Sequence, residues 1–186
     1  MMKTLLLITG CLLLIFSYTL IFQEPVLASS FAGLKFTSSI KEVKEVCSKA
    51  GLKVVSEETK RDTTSGNRYT TIVFAGAIDK SGYPLKFVET SCLFRNDSLY
   101  FVDMISERGW YQDAREEERE RGVAFFSLTA MEQYLAGKFG RQPDEVPKIP
   151  LYFRWYEGQL QIMVNMQMLP AYAICYSILY TGMFTK

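Results

Sequence analysis

Residues 159–167 read Gln-Leu-Gln-Ile-Met-Val-Asn-Met-Gln, and their alternation decides the fold class. Leu160, Ile162, Val164 and Met166 point one way, while Gln159, Gln161, Met163, Asn165 and Gln167 point the other. A strand with this period of two has one buried and one wet face, the signature of an antiparallel sheet covered on one side. Downstream, Tyr172, Ile174, Tyr176, Ile178 and Tyr180 form a second set opposite Ala173, Cys175, Ser177 and Thr181. A slip of one residue would invert the whole set, so the register is strongly specified. Upstream, 151–156 supplies a third strand. If Leu151, Phe153 and Trp155 face the covering layer, then Tyr152, Arg154 and Tyr156 emerge on the open face beside Gln161, Met163 and Asn165. Glu157-Gly158 makes the first turn between these strands and Leu169-Pro170 the second.

The covering layer is read from helical spacing. Leu128, Met131, Leu135 and Phe139 share a helix face behind the cap-like Ser127-Leu128-Thr129-Ala130-Met131-Glu132, and Gly137 and Gly140 loosen the end. In the first half, Ser39 with Glu42 three residues on is a capping box. Ile40, Val43, Cys47 and Ala50 recur on one face, and Gly51 stops the helix. Strand signals follow at 52–56, 69–78, 86–94 and 99–105, separated by the turn cluster 63–67, the loop 79–84 and the tight connection 95–98. Between the halves, residues 113–121 carry eight charges in nine positions. These suit a solvated helix with i,i+4 pairs.

The expected fold is therefore α+β, with two helix-plus-antiparallel-strand units, 29–108 and 127–186. A charged segment, 109–126, connects them. The strands form a continuous or paired sheet with the helices on one face.

Residues 4–22 read TLLLITGCLLLIFSYTLIF, a run without charge behind Lys3, and Val26-Leu27-Ala28 offers a small-residue cleavage site. This is the layout of a secretory signal peptide over 1–28, cut after Ala28. An uncleaved anchor is the rival, because the run is long enough to span a bilayer. Ile8-Thr9-Gly10-Cys11 also resembles a lipobox with Cys11 lipidated, although the apolar LLLIFSYTLIF follows where a polar tether belongs. Three cysteines remain downstream, Cys47, Cys92 and Cys175. With no C-x-x-C spacing they read as small buried residues, able to form at most one bridge.

Several motifs resemble a known arrangement. The opening Phe31-Ala32-Gly33-Leu34-Lys35-Phe36-Thr37-Ser38-Ser39-Ile40-Lys41-Glu42-Val43 is similar to the G-(I/L)-x-F-G-x-S-x-x-E-V lead into a first helix. Phe74-Ala75-Gly76, then Phe94-Arg95-Asn96-Asp97-Ser98-Leu99-Tyr100, resemble the following F-A-G and F-x-N-(D)-x-L-Y hairpin. Tyr134-Leu135-Ala136-Gly137-Lys138-Phe139-Gly140-Arg141-Gln142-Pro143 is similar to its second-helix ending. The group is the β-lactamase-inhibitor-protein-like fold, related in layout to small lipoproteins of outer-membrane assembly. Thr37 stands where the pattern has glycine, and the 109–122 insertion is outside it. The resemblance implies a bacterial, exported scaffold that binds proteins with its open sheet face. It brings no catalytic residue.

The 186 residues hold 21 basic and 20 acidic side chains and no histidine. The balance argues against a general nucleic-acid binder. Without histidine there is no Ser-His-Asp triad, Cys-His dyad or His-ligated metal site. Asp79, Glu89, Asp103 and Glu107 lack diagnostic spacing, and Asp103, interrupting an apolar strand, is expected to face solvent. FAGAIDKSG lacks the phosphate-loop spacing. Asn96-Asp97-Ser98 fits a glycosylation sequon and reads as a turn. The aromatic residues fit a core, and no cofactor or metal is expected. The leading expectation is a non-enzymatic envelope module that binds another envelope protein through Tyr152, Arg154, Tyr156, Gln161, Met163 and Asn165, the residue types that interface cores favour. Membrane contact is expected only through 4–22, if uncleaved. The alternatives are a membrane-anchored assembly or structural protein and, remotely, a carboxylate-dependent hydrolase.

Overall fold

The computed structural model describes residues 30–79, 82–147, 151–168 and 171–184. The signal or anchor expected over 1–28, the lipidation of Cys11 and the turn at Leu169-Pro170 lie outside them. Among the described residues no helix is long and apolar enough to cross a membrane.

The chain opens with a two-stranded hairpin, β1 (Ser30–Phe31) and β2 (Leu34–Lys35), turned by Ala32 and Gly33 at positive φ. Helix α1 (Ile40–Lys49) follows with its capping box closed. Glu42 N–H donates to Ser39 Oγ at 3.3 Å, and Ser39 N–H donates to Glu42 Oε2 at 2.7 Å. That satisfies two of the donors a helix start leaves open. A meander comes next: β3 (Lys53–Arg61), β4 (Arg68–Ala75), β5 (Phe87–Arg95) and β6 (Ser98–Ser106). Asn96 and Asp97 form the β5–β6 turn with φ of 50° and 67°, the left-handed pair that a two-residue hairpin loop requires. Asp97 Oδ1 also accepts from Ile40 N–H at 3.0 Å, fastening α1 to the hairpin. Asn96 Nδ2 donates to Asn67 at 2.7 Å, so this amide serves the turn.

Helix α2 (Ala114–Phe139) then runs without interruption, and β7 (Tyr152–Glu157), β8 (Leu160–Gln167) and β9 (Ala173–Tyr180) complete the strands before a 3₁₀ turn, Thr181–Met183. All seven long strands join one antiparallel sheet in the order β3-β4-β5-β6-β9-β8-β7. The two meanders thus meet where β9 lies against β6, and the α+β class with an antiparallel sheet holds.

The connection differs from expectation. The charged run is helical, as its spacing suggests, but it does not precede a separate helix capped near Ser127: most of residues 109–126 are the first half of α2. Its cap is Asp113, whose Oδ1 accepts from the N–H groups of Arg115 and Glu116 at 2.9 Å. Gly140, at φ 67°, ends it in the left-handed conformation. Gly122 inside the helix costs about 1 kcal/mol against alanine. The stripe of Ala124, Leu128, Met131 and Leu135 buried on the sheet outweighs that cost.

The main core lies between this sheet face and the two helices. Val43 and Cys47 of α1 and the α2 stripe share one buried cluster with Ile72, Phe74, Cys92, Phe94, Ile162, Val164 and Ile178 of the sheet. Phe139 packs edge-on against Trp155, ring centroids 5.7 Å apart, and Trp155 is fully buried. Phe153 and Trp155 therefore face the helices as expected. Tyr83 reaches Tyr134 and Tyr176 at 5.3 and 5.6 Å, so aromatic rings from both halves share this core. Cys47, Cys92 and Cys175 are free and buried.

Candidate functional site

The open face is built from cross-strand rows. The register sets Tyr152 opposite Asn165, Arg154 opposite Met163 and Tyr156 opposite Gln161. The six residues singled out from the alternation thus form three facing pairs on β7 and β8. Tyr156 is exposed, while the other five are half-buried.

Arg154 organises the group. Its Nη1 donates to Glu145 Oε2 at 2.7 Å and to Tyr156 Oη at 3.3 Å, and Nη2 reaches Met163 Sδ at 3.8 Å. The guanidinium carbon sits 5.0 Å from the centre of the Tyr152 ring, a cation–π distance. Tyr156 Oη donates to the second Glu145 oxygen at 2.5 Å. Glu145 itself is fixed by backbone pairing with Arg154, N–H to carbonyl at 3.2 Å in both directions. Tyr156 N–H donates to Asp144 Oδ2 at 2.7 Å, and Arg141 bonds both Asp144 and the Tyr156 carbonyl. The Arg141 guanidinium, more than the Tyr156 N–H, holds the Asp144 carboxyl below its ordinary range. The outer edge of β7 is thereby covered, and the side chains of Arg154 and Tyr156 are both tied to Glu145.

The Arg154–Met163 row continues across the sheet, with Ser91, Asp103, Ser177, Met163 and Arg154 following each other across β5, β6, β9, β8 and β7. Ser177 Oγ donates to Asp103 Oδ1 at 2.7 Å. Asp103 is on the open face, as its place in the alternation requires, but it is not a solvent-washed residue. It is half-buried, and burial outweighs the Ser177 bond and pushes its carboxyl up to about 6. Glu89 adds to the upward push and is paired with Arg108 at 3.3 Å. Beside them Ile105, Ala173 and Cys175 form a small buried cluster, and burial lifts the Cys175 thiol to about 12. A thiol so raised is protonated near neutrality and is a poor nucleophile. The expectation that Asp103 faces solvent is thus corrected: the centre of this face is largely buried, with the polar Ser91–Asp103–Ser177 row beside a small apolar cluster.

Two polar atoms in the group, Arg154 Nε and Asn165 Oδ1, are buried without a hydrogen-bond partner among the described residues. One is a donor and the other an acceptor. Among the described residues no three Cys, Asp or Glu side chains converge to hold a metal ion. The Glu145 bracket and the Asp103–Ser177 bond had no signal in the sequence, since each joins residues from separate elements. No family model matches the chain, and neither does any curated protein or solved structure.

Proposed function

We propose that this chain is an exported bacterial envelope module that binds another protein through the β7–β8 part of its open sheet face and carries out no catalysis. The observation that supports this reading most is the arrangement of Arg154 and Tyr156, both bonded to Glu145, with Tyr152 under the Arg154 guanidinium and Asn165, Met163 and Gln161 facing them. Tyrosine and arginine held in this way lose little freedom on binding, which leaves more of the contact energy for affinity.

The test is affinity capture from the envelope fraction of the source cells, with the wild-type chain beside a Y152A/R154A/Y156A variant. Phe153 and Trp155 keep the strand's core side intact, so the variant retains the wild-type far-UV circular dichroism. We expect the captured protein to bind the variant at least about a hundredfold more weakly, since central tyrosines and arginines carry most of an interface's energy. Equal capture by a folded variant would remove the assignment.

A further inference from the structure

The two edges of the large sheet are treated differently. At β7 the backbone is covered by Asp144 and Glu145. At β3 no strand lies outside it among the described residues, and all nine of its residues are exposed. An uncovered edge is a template for another strand unless something blunts it. Here a bulge at Val55 interrupts the ladder, and the straight part of the edge is Glu57-Glu58-Thr59-Lys60-Arg61.

The hydrogen-bond phase of this edge is fixed. Asp62 N–H donates to the Asn67 carbonyl at 2.9 Å. Arg68 turns both of its backbone groups toward Asn96, donating to Oδ1 and accepting from N–H at 2.8 Å each. Residue pair 61·68 is therefore not a hydrogen-bonded one, and the pairs 60·69 and 58·71 are. Glu57, Thr59 and Arg61 consequently aim their N–H and C=O groups outward. An incoming antiparallel strand must pair with these three.

The charges follow an equally definite order. Two acids precede Thr59 and two bases follow it, so the segment is its own opposite when reversed. Antiparallel pairing of two copies about Thr59 sets Glu58 against Lys60 and Glu57 against Arg61, each twice. It also makes Thr59 and the 57·61 positions hydrogen-bonded pairs, in phase with the free groups, for a ladder of about six bonds. Centring on Glu57, Glu58 or Lys60 puts like charges on the two-fold axis, which is unfavourable. Phase and charge thus agree on one register.

We propose that the free edge of β3 is a self-association site, with a second copy of this chain as its occupant, paired antiparallel about Thr59 into one continuous sheet. The pairing uses the edge opposite to the Tyr152–Arg154–Tyr156 group and stands independently of the function proposed for it. Five residues a side make a small interface, so the dimer is weak and depends on concentration. Its open faces lie on the same side.

The test is sedimentation equilibrium of the full chain over a concentration series at low and high salt, with E58K, K60E and E58K/K60E. These changes leave Glu57 and its 2.6 Å contact to Lys44 in place. We expect a wild-type dimer that weakens with salt. Each single variant should associate at least about tenfold more weakly, because two attractive cross-strand pairs become repulsive. The double variant restores opposite charges and should dimerise like wild type, and an equimolar mixture of E58K with K60E should form heterodimers. That rescue separates lost pairing from lost folding. A wild-type chain that stays monomeric throughout overturns the proposal. Single variants that associate as wild type does overturn it too, since association would then lie elsewhere, for instance in residues 4–22.

Discussion

Asp103 shows how one side chain records the character of a surface. Its carboxyl titrates near 6 because burial disfavours the charge more than the Ser177 bond favours it. The folded state therefore holds this proton more tightly than the unfolded chain does. The group's contribution to stability is fully present below the ordinary aspartate range near pH 4, and it is lost as pH rises through about 6. Asp103→Asn keeps an oxygen for Ser177 to donate to and cannot ionise. We expect it to be more stable than wild type by about 1–2 kcal/mol at pH 8 and equal to it at pH 4, in urea titrations at both. A gain that does not change with pH would refute this account. Thr37 is a second such residue. It sits at φ 78°, in the left-handed region where a β-branched side chain is strained, while its N–H is tied to the Leu99 carbonyl at 2.8 Å. Thr37→Gly relieves the strain and loses part of the gain to the more flexible unfolded chain. We expect a net rise of about 0.5–1 kcal/mol, measured by the same titration, and a drop would contradict it.

Among the elements, α2 departs furthest from what its sequence suggests. The serine at 127 looks like a cap, yet the capping work is done by Asp113, nearly four turns earlier. Asp113→Ala should cost about 1 kcal/mol in thermal or urea unfolding, whereas Ser127→Ala, in mid-helix, should change stability by less than about 0.5 kcal/mol. The reverse order would mean that the helix begins where the cap-like residues stand. This case also shows what local pattern can and cannot reveal. Leu128, Met131 and Leu135 were legible as one buried face because burial imposes its period on the chain. The helix start was not, because Gly122 and the cap-like Ser127 suggest a second helix beginning there, although the charged run itself reads as helical and a helix tolerates the glycine. Likewise β8 announced itself by alternation, and its Gln161, Met163 and Asn165 stand opposite the three candidate residues of β7. The 57–61 half of β3 carried no alternation, because an edge strand exposed on both faces has none to show. The Glu145 bracket was invisible for another reason: a loop that pairs with a strand edge leaves no periodic mark.

For the whole molecule, the sheet order matters more than any single contact. The strands of the two halves are not two sheets stacked or set side by side. They share one sheet and one core, with Phe36 stacked on Tyr180 at 5.8 Å and Tyr83 between Tyr134 and Tyr176. The candidate face draws on the same union. Asp103 from the first half and Ser177 from the second, 74 residues apart in sequence, complete its central row. The place of β9 also sets an order of events. It is the last strand in chain order yet an interior strand of the sheet, flanked by β6 and β8. As the chain folds, β3 to β6 can zip into a meander and β7 with β8 into a hairpin, each from near neighbours. Neither piece can join the other until β9 arrives to fill the gap, and closing that distance is the slow, entropically costly step. Assembly thus ends inside the sheet, like an arch finished by its keystone, and before that step the chain consists of two unfinished pieces with bare edges.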